Sequence, residues 1–202
     1  MSSAAMEAEA AQPGWRERKR RQTHRRVWET ALELFAEHGF EATTLDAIAE
    51  GAGISKRTFF HYFASKEDVL AAWQADVPGM FHDAVLSAAG DTPIEVIRTV
   101  FAMAPPPLDT AQTVAIGRII AANDQLRASN LAKLLKLEEA LVAAFSKRWP
   151  DRELAGLRAL AMLATGALRL GVDRFVEEEG RRPVALFVQE ALADLSRELS
   201  GG

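Results

Sequence analysis

Apolar residues recur along this chain at the three- and four-residue intervals that line one face of an α-helix. Val27, Ala31, Leu34 and Phe35, widened by Trp28 and Leu32, predict a first helix over about Thr23 to His38 that stops at Gly39. Leu45, Ile48, Ala49 and Ala52 predict a short second helix. Thr43 or Thr44 caps its start, and with Thr43 as cap Asp46 completes a capping box with favourable charge at the helix N-terminus. Gly51 and Gly53 then end it, because glycine tolerates the positive φ of a sharp turn. A third helix starts at the N-cap Ser55, with Ile54 and Phe59 placed as a hydrophobic staple and Phe59 and Phe63 facing inward. Lys56 and Phe60 fall on one outer strip, Arg57 and His61 on the next, with Thr58 near the N-terminal end. Ser65 and Asp68 form another capping box, opening a helix through Val69, Leu70 and Trp73 toward the C-terminal part.

Prolines and glycines divide the rest of the chain. Val77-Pro78-Gly79 kinks or breaks that helix, Gly90-Asp91-Thr92-Pro93 begins another, and Pro105-Pro106-Pro107 ends it. Helices are expected over about 92–104, 109–124, 127–149, 151–178 and 183–199. Leu157, Leu160, Ala161, Ala164, Leu168, Gly171, Val172 and Phe175 form a long stripe, and Val184, Phe187, Val188, Ala191, Leu192, Leu195 and Leu199 form another after the turn Gly180-Arg181-Arg182-Pro183. Two such antiparallel helices fit half of a four-helix bundle.

Composition agrees with an all-α chain of two helical parts: 202 residues, 49% hydrophobic, with Ala and Leu dominant. The absence of cysteine excludes disulfides, thiolate metal sites and a cysteine nucleophile. His24, His38, His61 and His82 are scattered, Glu138-Glu139 and Glu177-Glu178-Glu179 read as solvated charge, and no glycine-rich phosphate loop occurs. No catalytic residue, metal or cofactor is therefore expected. The N-terminal MSSAAMEAEAAQPG lacks an apolar leader core and no run of eighteen apolar residues occurs, so the expected location is cytoplasmic, without a membrane partner.

A net charge of −4 and a pI near 5.7 argue against nucleic acid until the distribution is considered. Arg16, Arg18, Lys19, Arg20, Arg21, Arg25 and Arg26 oppose a single Glu17 in one run. Ahead of a helix-turn-helix unit this reads as a flexible basic arm, 1–20, that follows phosphates or enters the adjacent minor groove. Two short helices meeting at a glycine turn, the second with a basic and hydroxylated N-terminal face, can present base and phosphate contacts. Spacing alone leaves DNA binding and a purely structural helix pair equally open.

ALELFAEHGF (Ala31 to Phe40), TTLDAIAEGAGISKRTFFHYF (Thr43 to Phe63) and SKEDVL (Ser65 to Leu70) follow in order. Over about Arg25 to Leu70 they resemble the DNA-binding domain of the TetR family, the tetracycline-repressor-like transcriptional regulators. The resemblance implies a three-helix DNA-binding domain over 21–68 and a helical effector-binding and dimerisation domain over 69–202. It implies DNA contacts from Arg25, Thr43, Thr44, Ser55, Lys56, Arg57, Thr58, Phe60, His61, Tyr62 and Lys66, the last to a phosphate. Many family members carry tyrosine where Phe60 stands, its hydroxyl donating to a phosphate. Phe60 either packs on sugar or a thymine methyl instead, or extends the domain core.

The resemblance further implies a homodimer through 151–178 and 183–199, a palindromic double-stranded operator and an unidentified small-molecule effector. Polar residues within apolar helices, Arg118, Asn123, Asn130 and Arg169, are the effector-contact candidates, each also readable as a cap or salt bridge. The expected function is a repressor released from DNA by that effector. The alternative is a regulator without a small-molecule pocket, controlled by a protein partner or acting as an activator.

Overall fold

The computed structural model describes residues 15–72, 77–103 and 110–199. Every regular element among them is a helix: α1 Trp15–His38, α2 Leu45–Gly51, α3 Lys56–Tyr62, α4 Lys66–Ala71, α5 Val77–Ser87, α6 Pro93–Met103, α7 Thr110–Ala121, α8 Asp124–Arg148, α9 Leu154–Glu177 and α10 Val184–Leu199. The chain divides between Ala72 and Trp73 into two compact units. The first fourteen residues, Trp73 and the three-proline stop lie outside the described residues.

In the N-terminal unit, α1 buries Val27, Trp28, Ala31, Leu32 and Phe35, while Ile48, Ala49, Phe59, Phe63, Val69 and Leu70 come inward from the three short helices. Gly39 ends α1 at φ 84°, a left-handed position that glycine adopts without a Cβ clash. Helix α2 ends in a Schellman motif: the Gly53 amide donates to Glu50 O and the Ile54 amide to Ala49 O, with Gly53 at φ 63°. Gly51 has a different task from the one its sequence position implies, since it lies inside α2. A Cβ there would come 2.7 Å from Thr30 Cγ2, so its bareness lets α1 and α2 approach.

Helix α1 begins at Trp15, eight residues before the expected start at Thr23. Residues 15–20, expected as part of a flexible arm, are helical. Arg, Lys, Glu and Gln are strong helix formers, no glycine or proline interrupts 15–38, and Lys19 Nζ lies 5.1 Å over the Trp15 ring.

The C-terminal unit packs α5, α6, α8, α9 and α10 around one core that includes Val85, Ile97, Phe101, Leu141, Phe145, Ala164 and Leu192. Pro78 stands in the first turn of α5, where a missing amide costs no intrahelical hydrogen bond, so Val77-Pro78-Gly79 starts a helix. Helix α6 opens with Pro93 and a capping box, in which Glu95 Oε2 accepts from the Asp91 and Thr92 amides and the Glu95 amide donates to Thr92 Oγ1. At the far end of α8, Arg148 donates to Val85 O, Ala88 O and Gly90 O, saturating the last carbonyls of α5 and the turn after it. Helices α9 and α10 meet most closely at Gly171, where a Cβ would lie 2.5 Å from Val188 Cγ2 and 2.8 Å from Val188 N.

Leu157, Ala161 and Ala164 of the long α9 stripe complete this core, and Phe175 joins Val114 and Phe187 in a second, smaller cluster. The opposite face of α9 carries Ala155, Ala159, Met162, Gly166 and Leu170 at helical spacing, all partly or fully exposed. Apolarity on both faces makes α9 the one described helix long and apolar enough to cross a membrane by length and composition.

Candidate nucleic-acid interface

Each of the three short helices is started by a hydroxyl. Thr44 Oγ1 accepts from the Ala47 amide, Ser55 Oγ from the Thr58 amide and Ser65 Oγ from the Asp68 amide, all at 3.1 Å. Thr44 is thus the cap of α2, and Asp46, one turn in, is turned to another use. Its carboxylate accepts from Lys56 Nζ at 3.0 Å, joining α2 to the first residue of α3. Both side chains are well exposed, so this pair is worth little to stability; its weight is in occupying Lys56.

Thr43 is 5% exposed, and its hydroxyl donates to Gly39 O at 2.8 Å. Its side chain locks the turn between α1 and α2 and does not share the outer face of α3, contrary to its place among the expected contacts. Thr44, Ser55, Lys56, Arg57, Phe60 and His61 are exposed, with Thr58 and Tyr62 half-buried. Arg57 has no ion pair among the described residues, which leaves its five donors available. Phe60 is 49% exposed and meets Phe59 edge-on at 5.8 Å, so it stands on the outer face and is not absorbed by the core.

Arg25 is exposed and paired with Glu29 at 2.8 Å. Lys66 is 18% exposed; Nζ donates to Phe40 O at 2.7 Å and Glu41 O at 3.2 Å and lies 4.5 Å from the Phe40 ring centre. Two of its three protons tie the turn after α1 to α4, and the Glu41 carboxylate lies 3.8 Å from the same ammonium. Sequence reasoning passes over His24, whose ring lies 4.2 Å from Phe63 and 5.6 Å, edge-on, from Tyr62. It braces the end of α3 against α1. Burial pushes its pKa below the ordinary value and the neighbouring Arg20 adds to this, so the ring is neutral at pH 7.

The four effector candidates separate in the structure. Arg118 is exposed and paired with Glu179 at 2.8 Å; Asn123 caps α8 through Oδ1 to the Leu126 amide; Arg169 is exposed, 4.0 Å from Asp173. Asn130 alone shares the inward face of its helix, in line with Leu126, Leu137 and Leu141. Among the described residues no three of His, Asp and Glu gather as a metal site.

Comparison with known proteins agrees with this geometry. Residues 28–73 match the model of bacterial regulatory proteins of the TetR family. The transcriptional regulator TcmR of Streptomyces glaucescens is 39% identical over 90 residues, 44% of this chain and 40% of TcmR. The repressor KstR2 of Mycobacterium tuberculosis is 50% identical over 42 residues, 21% of each chain. The chain therefore matches well under half the length of these curated relatives. Solved structures extend the likeness in fold. FadR of Thermus thermophilus, a TetR-family repressor in complex with lauroyl-CoA, gives a TM-score of 0.56 at 24% identity, covering 86% of this chain and 93% of that one. SmeT in complex with triclosan gives 0.60 at 21%, covering 86% and 91%. Residues 28–73 are thus similar to the DNA-binding domain of the TetR family of bacterial regulatory proteins, and the chain as a whole shares its fold with solved structures of that kind.

Proposed function

We propose that the protein is a cytoplasmic, homodimeric transcriptional repressor that binds a palindromic operator and is released by a small-molecule effector. The observation that carries the DNA-binding part is the outer face of α3. It is capped by Ser55, carries Lys56 and the unpaired Arg57 in its first turn, and adds Phe60 and His61. Arg25, Thr44, Thr58 and Tyr62 flank that face, and a phosphate contact from Lys66 would compete with its ion pair to Glu41.

The dimer rests on the outer stripe of α9. Ala155, Ala159, Met162 and Leu170 are exposed, Gly166 is half-buried among them, and a Cβ on Gly166 would meet nothing within 4 Å. A glycine without an intrachain reason on an apolar helix face fits close packing against a second copy. Exposed Leu186 adds to the same requirement on α10. Two copies joined by a two-fold axis present two reading helices, which matches a palindrome. FadR and SmeT, which share the fold, are in complex with small molecules, which supports a small-molecule effector for this chain, and the C-terminal unit is its proposed place. Effector binding then favours dimers whose reading-helix spacing no longer fits the operator.

Fluorescence anisotropy with palindromic DNA from the gene's own upstream region tests the reading. Arg57→Ala is expected to weaken specific binding by about 1–3 kcal/mol, roughly 5- to 150-fold, while light scattering still reports a dimer. Unchanged binding in that variant overturns the assigned face, and a monomeric wild-type protein overturns the dimer.

A further inference from the structure

The inward face of α8 contains a break in its apolar pattern. Leu126 is buried near its start and Leu137, Leu141, Ala144 and Phe145 are buried further along, yet from 127 to 136 no residue is buried. Ser129, Asn130, Lys133 and Leu134 are the half-buried residues of that interval, and of these Asn130 and Lys133 align with Leu126 and Leu137. Both are half-buried, and neither side chain has a hydrogen bond or ion pair among the described residues. A lysine drawn off the surface without a partner is a costly element in a core. The segment 125–137, QLRASNLAKLLKL, contains Arg127, Lys133 and Lys136 and no acid, so nothing on the same stretch of helix compensates it.

We propose that Lys133 is the counter-ion for an organic carboxylate whose apolar body lies along the inward leucines of α8, with Asn130 hydrogen-bonding the same headgroup. The assignment rests on the proposed effector site in the C-terminal unit and names the chemical class of its ligand. Two further facts agree with it. Burial lowers the Lys133 pKa and the nearby Lys136 lowers it further, so the ammonium stands in a place that disfavours a lone positive charge and rewards an incoming anion. The other three polar candidates in this unit are spent on a cap or on exposed ion pairs. A carboxylate satisfies Lys133 where a neutral or cationic ligand leaves it unpaired, and that difference gives selectivity.

The test measures calorimetric binding of the full chain to benzoate, octanoate and dodecanoate, each beside its neutral alcohol: benzyl alcohol, octanol and dodecanol. At least one carboxylate is expected to bind saturably, one per chain, and more tightly than its alcohol. Lys133→Gln should weaken that carboxylate by about tenfold or more without changing the alcohol, as loss of a hydrogen bond to a charged group implies. Lys133→Met, which keeps the apolar stem, should reproduce the loss, and circular dichroism shows whether either variant is folded. Lys136→Gln, on the exposed side, should cost much less. Carboxylates and alcohols binding alike, or a carboxylate indifferent to both Lys133 variants, overturns the counter-ion while leaving an effector site in place. No binding by any carboxylate also overturns the proposal. The broader effector reading then stands or falls on whether neutral compounds release DNA.

Discussion

Phe60 and His24 show how much a single side chain can decide at the reading surface. Phe60 sits on the outer face with no polar atom to offer. Phe60→Tyr restores a hydroxyl able to donate to a phosphate, and a net hydrogen bond of about 0.5–1.5 kcal/mol implies operator binding roughly 2- to 12-fold tighter, measurable by anisotropy. His24 has its pKa lowered in the fold, so the folded state favours the neutral ring. Its contribution to stability is full above the unfolded-state pKa near 6.5 and is lost as pH falls below it toward the folded value. Urea midpoints should therefore drop between pH 7.5 and 5 more steeply in the wild type than in His24→Phe. Local spacing reveals Ser55 and Arg57 because caps and outer positions depend on neighbours a turn away. Thr43 and Lys66 look like freely exposed contacts in the sequence because their partners, Gly39 O and Phe40 O, are backbone atoms brought in by a turn.

At the scale of elements, the helices whose two ends carry side-chain or glycine signals are legible. Pro93 and Gly180 mark their boundaries in the sequence as they do in the structure. The start of α1 is not, since apolar periodicity ends at Val27 while helix propensity continues through the charged residues to Trp15. Nor can periodicity say which of two apolar faces of α9 turns inward, because both satisfy the helical period and only packing against α8 and α10 chooses. Gly171 identifies the chosen face. Gly171→Ala places a Cβ against the Val188 backbone, which cannot rotate away as a side-chain tip can. The expected cost is about 1–3 kcal/mol, read as a lower urea midpoint at an unchanged slope. Gly166→Ala should leave monomer packing unaffected, since its Cβ meets nothing within 4 Å.

For the whole molecule, the division into a helix-turn-helix unit and a helical C-terminal unit is legible because the N-terminal motif is dense and local. The proposed ligand class is not, because Lys133 becomes conspicuous only when burial and the absence of an ion pair among the described residues are known. Net charge is equally uninformative by itself: a chain at −4 carries its proposed DNA-contacting cations in a small region. Within that region the ion pair between Asp46 and Lys56 is a tethered competitor. The carboxylate is present at Lys56 at an effective concentration that no dilution reduces, so every phosphate must displace it. Random DNA meets this obstacle at every position, whereas an operator that also engages Arg57 has other contacts with which to overcome it. Asp46→Asn should tighten binding to unrelated duplex more than to operator and steepen the salt slope for unrelated duplex by up to about 0.9. In a cell the variant would then spend more of its time bound at the wrong places; under the proposed function, the acid beside α3 is what lets the protein leave unrelated sequences.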